Sequence, residues 1–221
     1  KARTIREGTD VTLVGITGGS CAGKTTLSEG LSARLGDRLA VLQFDRYYND
    51  HGHLAMEERG LVNYDQPDSL DGQLFVAHLD DLAAGRTVEA PVYDFATHRR
   101  TSTTDTVGPS PVGVVDGILL LAFPAVRRLL DLVVYVDAPA EVRLERRVTR
   151  DVDERGRTEV GVRTQFAASV TPMHERWVAP FAHEADLIVD GLADPDQAVE
   201  VVLGRLPEPV GRRRYRDNTQ P

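Results

Sequence analysis

The chain has 221 residues with 26 Lys and Arg against 34 Asp and Glu, which gives a formal net charge of −8 at pH 7. This balance argues against a broad nucleic-acid-binding surface, because such surfaces carry an excess of basic residues. The single cysteine excludes an internal disulfide bond, and no run of residues approaches the ~20 apolar positions of a membrane span. The first residues, KARTIREGTD, lack the apolar core of a signal peptide. We therefore predict one domain over residues 1–221 of a cytoplasmic protein that has no nucleic-acid or membrane partner.

Apolar runs alternate with helix-like segments along the chain, which predicts a mostly parallel sheet covered by helices on both faces. The predicted strands are residues 11–16, 40–44, 113–115, 132–136 and 187–189. The predicted helices are residues 25–35, 70–84, 124–130, 139–150, 160–177 (bent by Pro172) and 195–206. The remaining predicted segments are a polar loop at 46–66, a β-hairpin at about 86–106, a lid at about 143–160 and a disordered tail at 207–221.

A glycine-rich loop follows the first predicted strand in the segment GITGGSCAGKTTLSEGL, residues 15–31. Its spacing fits G-x-x-x-x-G-K-[ST], in which glycines let backbone N–H groups converge on phosphate oxygens at the start of a helix. Lys24 adds a positive charge for the β- and γ-phosphates, and the Thr25 hydroxyl is a ligand for Mg²⁺. The predicted phosphate-binding residues are Gly18, Gly19, Ser20, Gly23, Lys24, Thr25 and Thr26. The alternative is a glycine turn with a chance lysine.

Two aspartates end the second and third predicted strands, and parallel strands place such residues at one edge of the sheet. We interpret Asp116 as a Walker-B-type acid beside the Mg²⁺ ion that Thr25 binds. The alternative is a turn residue, since Asp-Gly is a common turn pair. Asp45 is interpreted as the general base that accepts the proton of an attacking hydroxyl, and the alternative is a helix N-cap. The predicted magnesium ligands are Thr25, Asp45 and Asp116.

Aromatic and polar side chains alternate in NYDQPDSLD and PVYDFATHRR. Tyr64, Tyr93 and Phe95 offer flat faces, while Asp65, His98 and Arg100 offer hydrogen-bonding groups. This mixture suits a planar heterocycle with polar edges. The alternative is that Tyr93 and Phe95, two residues apart on a strand, pack on one face of a core.

Four arginines share one face of the predicted helix at residues 139–150, because they lie at i, i+3, i+4 and i+7. They are Arg143, Arg146, Arg147 and Arg150. With Gly156 as a hinge, they suggest a lid that neutralises transferring phosphoryl charge. The alternative is a solvated stripe that pairs with Glu141 and Glu145.

The motifs together resemble the uridine kinase (uridine-cytidine kinase) family of P-loop kinases. The matching segments, in order from about residue 11 to 190, are GGSCAGKTT, FDRYY, NYDQPDSLD, PVYDFATHRR, VVDGIL, RRVTRDVDERGR, QFAASVTP and AD. The resemblance implies an α/β fold of the P-loop NTPase type, with a mostly parallel sheet flanked by helices, a substrate hairpin and a helical lid. It also implies phosphorylation of the 5′-hydroxyl of uridine and cytidine with ATP or GTP and Mg²⁺, by a homotetramer.

The same resemblance implies a role for each matching residue. Asp45 is similar to the base that prepares the ribose 5′-hydroxyl, and Asp65 and Arg147 are similar to the ribose contacts. Gln165 resembles a further nucleoside contact, and the base-binding hairpin is implied at Tyr93, Phe95 and His98, with Tyr64 nearby. The residues implied to act on the phosphates are Lys24, Arg150, Arg155 and Arg157.

Three positions depart from the family pattern and leave the acceptor open. Asp116 stands where many relatives have Glu, Arg46 replaces a small Ser or a Lys, and Gln66 replaces His. One alternative is a P-loop kinase for a different nucleoside-like or other hydroxyl acceptor. A less favoured alternative is a non-kinase P-loop NTPase switch, which has no need of an aromatic hairpin.

Overall fold

The computed structural model describes residues 11–207, so the predicted tail lies outside the described residues except for Pro207. The strands are β1 Thr12–Gly18, β2 Leu39–Gln43, β3 Val88–Asp94, β4 Arg99–Val107, β5 Val112–Asp116, β6 Leu132–Asp137 and β7 Leu187–Asp190. The helices are α1 Lys24–Leu35, α2 Met56–Arg59, α3 Gly72–Ala83, α4 Pro124–Leu129, α5 Ala140–Arg155, α6 Glu159–Gln165, α7 Thr171–Trp177 and α8 Pro195–Leu203. Within residues 11–207, no helix is long and apolar enough to cross a bilayer.

Five strands form a parallel sheet in the order β2-β5-β1-β6-β7. The three central strands read as runs of Val, Leu and Ile because hydrophobic clusters cover both faces of the sheet. Ile16 of β1 and Gln43 of β2 both pair with Asp116 at the end of β5. The glycine-rich loop, Asp116 and the segment after β2 therefore meet at one edge of the sheet. This is the α/β architecture predicted from the sequence.

Strands β3 and β4 form a separate antiparallel hairpin with an irregular register between Pro91 and Tyr93. Arginines hold the hairpin to the segment that follows β2. Arg99 Nε lies 2.7 Å from Asp50 Oδ1, and Arg100 Nη2 donates to the carbonyl oxygen of Tyr47 at 3.0 Å. The hairpin thus lies beside the sheet edge where the strand ends meet.

The two largest differences from the predicted helix bounds are explained by the backbone conformation of glycine and proline. Helix α5 continues to Arg155, because the first residue able to end it is Gly156, which adopts a left-handed conformation at φ +63°. The helix predicted at residues 160–177 is divided into α6, a π-helical turn at Phe166–Val170 and α7. Pro172 explains the division, since a proline lacks the N–H that a continuous α-helix requires. The predicted polar loop at 46–66 contains the short helix α2.

Candidate active site

The glycine-rich loop curls between β1 and α1. Gly18 has φ +136°, and a Cβ atom there would collide with the carbonyl oxygen of Val136, so only glycine fits. The buried Lys24 side chain turns back on the loop, and its Nζ donates to the carbonyl oxygens of Gly18 at 3.2 Å and Gly19 at 3.0 Å. The ammonium group is therefore held at the mouth of the loop, at the start of α1.

A cavity of about 630 Å³ opens in front of this loop, which is large enough for a nucleotide. The predicted donor and metal residues that line it are Ser20, Gly23, Lys24, Thr25, Thr26, Asp45, Asp116, Arg150 and Arg155. Gly18 and Gly19 do not line it. The segment from the end of β7 to the start of α8 also lines the cavity, with Asp190, Gly191 and Pro195, and the sequence reasoning missed it. The rule that ligands bind at strand ends, applied to β7, would have indicated it.

The two aspartates lie in low-dielectric surroundings beside Lys24. Asp116 is 8% exposed; burial raises its pKa to about 6, and Lys24 opposes the shift. Burial also raises the pKa of Asp45, against the charges of Lys24 and Arg155. Asp45 lies inside the turn Phe44–Tyr47 rather than before a helix, which does not match the N-cap alternative.

The oxygen-bearing side chains of the cavity suit a Mg²⁺ ion that is bound by the protein and the nucleotide together. Among residues 11–207, no group of three or more His, Cys, Asp or Glu side chains is placed to hold a metal. In the same part of the chain, Asp45 Oδ1 is buried and has no hydrogen-bond partner. Mg²⁺ is commonly bound through one or two carboxylates together with substrate phosphates. Asp45, Asp116 and the Thr25 hydroxyl, which line one cavity, fit that pattern.

The raised pKa of Asp116 gives a prediction about stability. The pKa of Asp116 is about 6 in the folded protein, against an ordinary value of 3.8, so the cost of ionising it develops between about pH 4 and pH 6 and opposes folding in full above that range. We expect Asp116→Asn to increase the free energy of unfolding by about 2–3 kcal/mol above pH 7 and to have no such effect below pH 4. Urea unfolding without nucleotide or Mg²⁺ at several pH values measures the difference.

A matched control for that measurement is Asp137→Asn, because Asp137 is an exposed carboxylate at the end of β6 in the same sheet. This substitution should change the free energy of unfolding by no more than about 0.5 kcal/mol. A stabilisation by Asp116→Asn that is equal at pH 4 and pH 8 would contradict the raised pKa.

A second, smaller cavity of about 70 Å³ adjoins the first. The residues predicted to bind the acceptor all line it: Tyr64, Asp65, Tyr93, Phe95, His98, Arg147 and Gln165. Tyr48, which sequence reasoning did not single out within FDRYY, lies in the same wall. Asp45, Arg150 and Arg155 line both cavities. The two cavities therefore meet at Asp45.

The aromatic residues of the second cavity have two kinds of environment. Tyr64 stacks on His98 with ring centroids 4.9 Å apart and an interplanar angle of 15°. Tyr93 is buried in the core and packs against Tyr48 and Phe95. The alternative that Tyr93 and Phe95 pack on one face of a core therefore describes the ring of Tyr93, although the same residue also lines the cavity. Burial lowers the pKa of His98, and the positive charge of Arg157 lowers it further, so His98 is neutral at pH 7.

The arginine face of α5 is not a solvated stripe, because Arg143 and Arg147 are only 4% and 6% exposed. Arg147 Nη1 donates to Ser20 Oγ at 2.9 Å. Arg146 Nη1 donates to the carbonyl oxygen of Ala22 at 3.2 Å, and its Nη2 donates to that of Gly191 at 3.0 Å. Helix α5 is thereby attached to the glycine-rich loop at several points.

Arg157, which the resemblance implies to act on the phosphates, lines the smaller cavity. Its Nη1 donates to Gln165 Oε1 at 3.0 Å and its Nη2 lies 3.4 Å from His98 Nε2. The left-handed turn at Gly156 redirects the chain after α5 toward the hairpin. Arg155, still on the helix, remains between the cavities, 5.0 Å from the centroid of the Phe95 ring.

The two unusual residues Arg46 and Gln66 lie outside the lining of both cavities. Arg46 Nη1 lies 2.5 Å from Asp105 Oδ2 on the hairpin, and its Nε donates to Gln43 Oε1 at 2.9 Å. Gln66 Oε1 accepts from Asn63 at 3.4 Å. These contacts hold the hairpin and the loop, so neither departure alters the cavity walls directly. A further residue missed by the sequence reasoning, the buried Asp151, lies among the arginines.

Comparison with known proteins shows the family of this chain. The model of the phosphoribulokinase/uridine kinase family matches residues 13–198. A protein named uridine kinase from Chloroflexus aurantiacus is 43% identical over 195 residues, which are 88% of this chain and 93% of that protein. Another of the same name from Clostridium perfringens is 39% identical over 200 residues, 90% of this chain and 96% of its own. A solved phosphoribulokinase from Rhodobacter spheroides has a TM-score of 0.59 and 13% identity, covering 85% of this chain and 74% of that one, and supports the fold alone.

Proposed function

We propose, because the chain belongs to the phosphoribulokinase/uridine kinase family, that it is a nucleoside kinase that transfers the γ-phosphoryl group of ATP to the 5′-hydroxyl of uridine and cytidine. The observation that carries the proposal is the meeting of a nucleotide-sized cavity and an aromatic cavity at Asp45. A kinase needs both cavities, whereas an NTPase switch has no use for the second.

In the proposed reaction, the glycine-rich loop and Lys24 bind the β- and γ-phosphates of the nucleotide. Asp45 accepts the proton of the acceptor's 5′-hydroxyl as the 5′-oxygen attacks the γ-phosphorus. The bond between the γ-phosphorus and the β–γ bridging oxygen breaks, and ADP leaves. Arg150 and Arg155, which line both cavities, are placed to neutralise the charge that develops on the transferred group. Mg²⁺, when bound by Thr25, Asp116 and Asp45, would supply further charge neutralisation on the phosphates.

The acceptor base is proposed to bind between the hairpin and the lid. Arg157 has no acceptor atom, so in its contact with His98 the imidazole Nε2 accepts and the proton of the neutral ring is on Nδ1. With Nε2 occupied by Arg157, the ring offers its Nδ1–H donor, which suits a carbonyl oxygen on the polar edge of a pyrimidine. We accordingly reassign Arg157 from the nucleotide to the acceptor side.

A coupled assay that supplies ATP and a panel of hydroxyl compounds tests the proposal. The panel contains uridine, cytidine, purine nucleosides, pantothenate and a pentulose phosphate. Uridine and cytidine should give monophosphates, and the same assay with GTP determines the donor preference. The formation of a phosphorylated product from another compound, with none from either pyrimidine nucleoside, would contradict the proposed substrate.

A further prediction is selectivity for ribose over 2′-deoxyribose, which rests on Asp65 and Arg147. A carboxylate and a guanidinium beside a vicinal diol make charge-assisted hydrogen bonds to both hydroxyls. Without the 2′-hydroxyl, one buried polar group loses its partner at a cost of about 1–3 kcal/mol, so kcat/KM for deoxyuridine should be about 10-fold to several hundred-fold below that for uridine. Steady-state kinetics with the two nucleosides measure the ratio.

The control for this prediction is Asp65→Ala, which should reduce the ratio because it damages uridine phosphorylation more than deoxyuridine phosphorylation. If the wild-type enzyme had comparable kcat/KM for both nucleosides, Asp65 and Arg147 would not be ribose contacts.

The cellular location and the assembly are proposed on the resemblance alone. We propose a cytoplasmic enzyme that forms a homotetramer. Sedimentation velocity measures the assembly, and a monomer at micromolar concentration would contradict it.

A further inference from the structure

A completely buried carboxylate lies at the centre of the arginine cluster. The side chain of Asp151, on α5, is 0% exposed. Its Oδ1 accepts from Arg150 Nε at 2.9 Å and lies 3.6 Å from Arg155 Nη1. Its Oδ2 lies 3.5 Å from Arg147 Nε and 3.3 Å from Arg157 Nη1. Each oxygen of one carboxylate is therefore shared by two guanidinium groups.

The charges of this cluster explain why it needs a carboxylate. Four guanidinium groups that converge on one point repel one another, and the repulsion is strong where water is scarce. Burial alone would raise the pKa of Asp151, but the charges of Arg150 and Arg147 hold it below its ordinary value, so the group is ionised. Within the described part of the chain, no other carboxylate lies within ion-pair distance of these four arginines.

Asp151 is absent from the lining of both cavities, whereas all four of its arginines line at least one. Arg150 and Arg155 line both, and Arg147 and Arg157 line the smaller cavity. Two of these guanidinium groups also contact other residues with nitrogens that do not face Asp151. Arg147 donates from Nη1 to Ser20 Oγ and from Nη2 to Gln165 Oε1. Arg157 Nη2 lies 3.4 Å from His98 Nε2. Asp151 therefore reaches the reaction centre only through these arginines.

We propose that Asp151 is a positioning residue for phosphoryl transfer, whose buried carboxylate fixes Arg150 and Arg155 in the arrangement that the transferring phosphoryl group requires. The same carboxylate holds the two arginines of the smaller cavity, Arg147 and Arg157, on the acceptor side. The proposal rests on the proposed kinase function. It assigns to Asp151 no contact with either substrate.

A positioning role predicts different effects on ATP binding and on phosphoryl transfer, whereas a general structural role predicts similar effects on both. Removing the carboxylate adds one net positive charge to the site, so binding of the anionic nucleotide should be retained or strengthened. Phosphoryl transfer should suffer, because arginines displaced by about 1 Å stabilise the developing charge poorly. Loss of a purely structural contact would instead weaken ATP binding and turnover together.

The test compares Asp151→Asn and Asp151→Glu with Asp153→Asn. Asp153 is a carboxylate on the same helix, two residues away and exposed, so its substitution makes the same change in charge outside the cluster. For each purified full-length variant, the Kd for ATP is measured by calorimetry without acceptor, kcat is measured with uridine, and folding is checked by circular dichroism.

We expect Asp151→Asn to lower kcat by about 10²- to 10³-fold with a Kd for ATP no more than threefold weaker. Asp151→Glu, which keeps the charge on a longer side chain, should lower kcat by about 5- to 50-fold, and Asp153→Asn by less than twofold. A kcat for Asp151→Asn within threefold of wild type, or equal losses of kcat and ATP affinity, would overturn the proposal.

If Asp151→Asn does not fold, Asp151→Glu decides. A folded Glu variant with the expected loss of kcat and an unchanged Kd for ATP supports the positioning role, whereas a Glu variant equal to wild type, or one that also fails to fold, overturns it. A wild-type enzyme that does not phosphorylate uridine contradicts the proposed function instead, and the same variants are then compared on the acceptor that the panel identifies.

Discussion

Asp45→Asn is expected to lower kcat by about 10²- to 10⁴-fold with only a modest change in the Kd for ATP. The substitution keeps the size of the side chain but removes its capacity to accept a proton. Within the described residues, Asp45 Oδ1 is buried without a hydrogen-bond partner at the meeting point of the two cavities. An acceptor hydroxyl is the natural partner for such an oxygen. Steady-state kinetics with uridine and calorimetry with ATP measure the two quantities.

The matched control for Asp45→Asn is Asp37→Asn. Asp37 is an exposed carboxylate just before the start of β2, whereas Asp45 follows the end of that strand. It should leave kcat within twofold of wild type. A near-normal kcat for Asp45→Asn would mean that Asp45 neither takes the proton nor aligns the hydroxyl, and the base would then have to be sought elsewhere in the smaller cavity.

The sheet and the glycine-rich loop were predictable because their signals are local. A strand buried on both faces must be apolar along its length, and β5 and β6 were located to within one residue at each end. The loop has glycine at two positions of positive φ, Gly18 and Gly23, so much of its backbone is encoded in the residue types, although Cys21 also adopts a left-handed conformation at φ +61°. Strand-end geometry then places Asp45 and Asp116 at one edge without any knowledge of tertiary contacts.

The partners of the arginines were not predictable to the same degree. Helical spacing assigns a residue to a face only while the helix continues, and α5 ends at Arg155. Beyond Gly156 the position of Arg157 depends on one left-handed residue and on the packing of the hairpin. The resemblance implied that Arg150, Arg155 and Arg157 act on the phosphates, and the helical spacing gave no means to distinguish Arg157, which contacts His98 and Gln165.

Asp151 was missed for a related reason. It is adjacent to Arg150 in the sequence, and neighbouring residues of a helix point about 100° apart, so the pattern gives no reason to expect contact between them. Their contact depends on the long arginine side chain, which folds back over the helix surface. The spacing of Asp151 from Arg147 and from Arg155, four residues in each direction, was the available signal.

The second large effect is expected for Arg150→Gln, which should lower kcat by about 10²- to 10³-fold while the Kd for uridine changes by less than about threefold. Arg150 lines both cavities beside Asp45, and two of its nitrogens lie 2.9 and 2.8 Å from Asp151 Oδ1. A guanidinium group at that place meets the charge that develops on the transferred group, and little of this charge exists before the reaction begins. Turnover and uridine binding should therefore respond very differently. Single-turnover kinetics and calorimetry with uridine measure them.

Two companion variants make this prediction specific to the position of the charge. Arg163→Gln removes the same charge from α6, where the exposed Arg163 pairs with Glu145 and Glu159, and it should leave kcat within about twofold. Arg150→Lys keeps a charge but loses the planar fork that contacts two groups at once, so its kcat should lie between those of wild type and Arg150→Gln. Equal losses of turnover and uridine affinity in Arg150→Gln would show that Arg150 supports the cavity wall rather than the reaction. An unchanged kcat would exclude it from phosphoryl transfer and leave Arg155 as the lid arginine that lines both cavities.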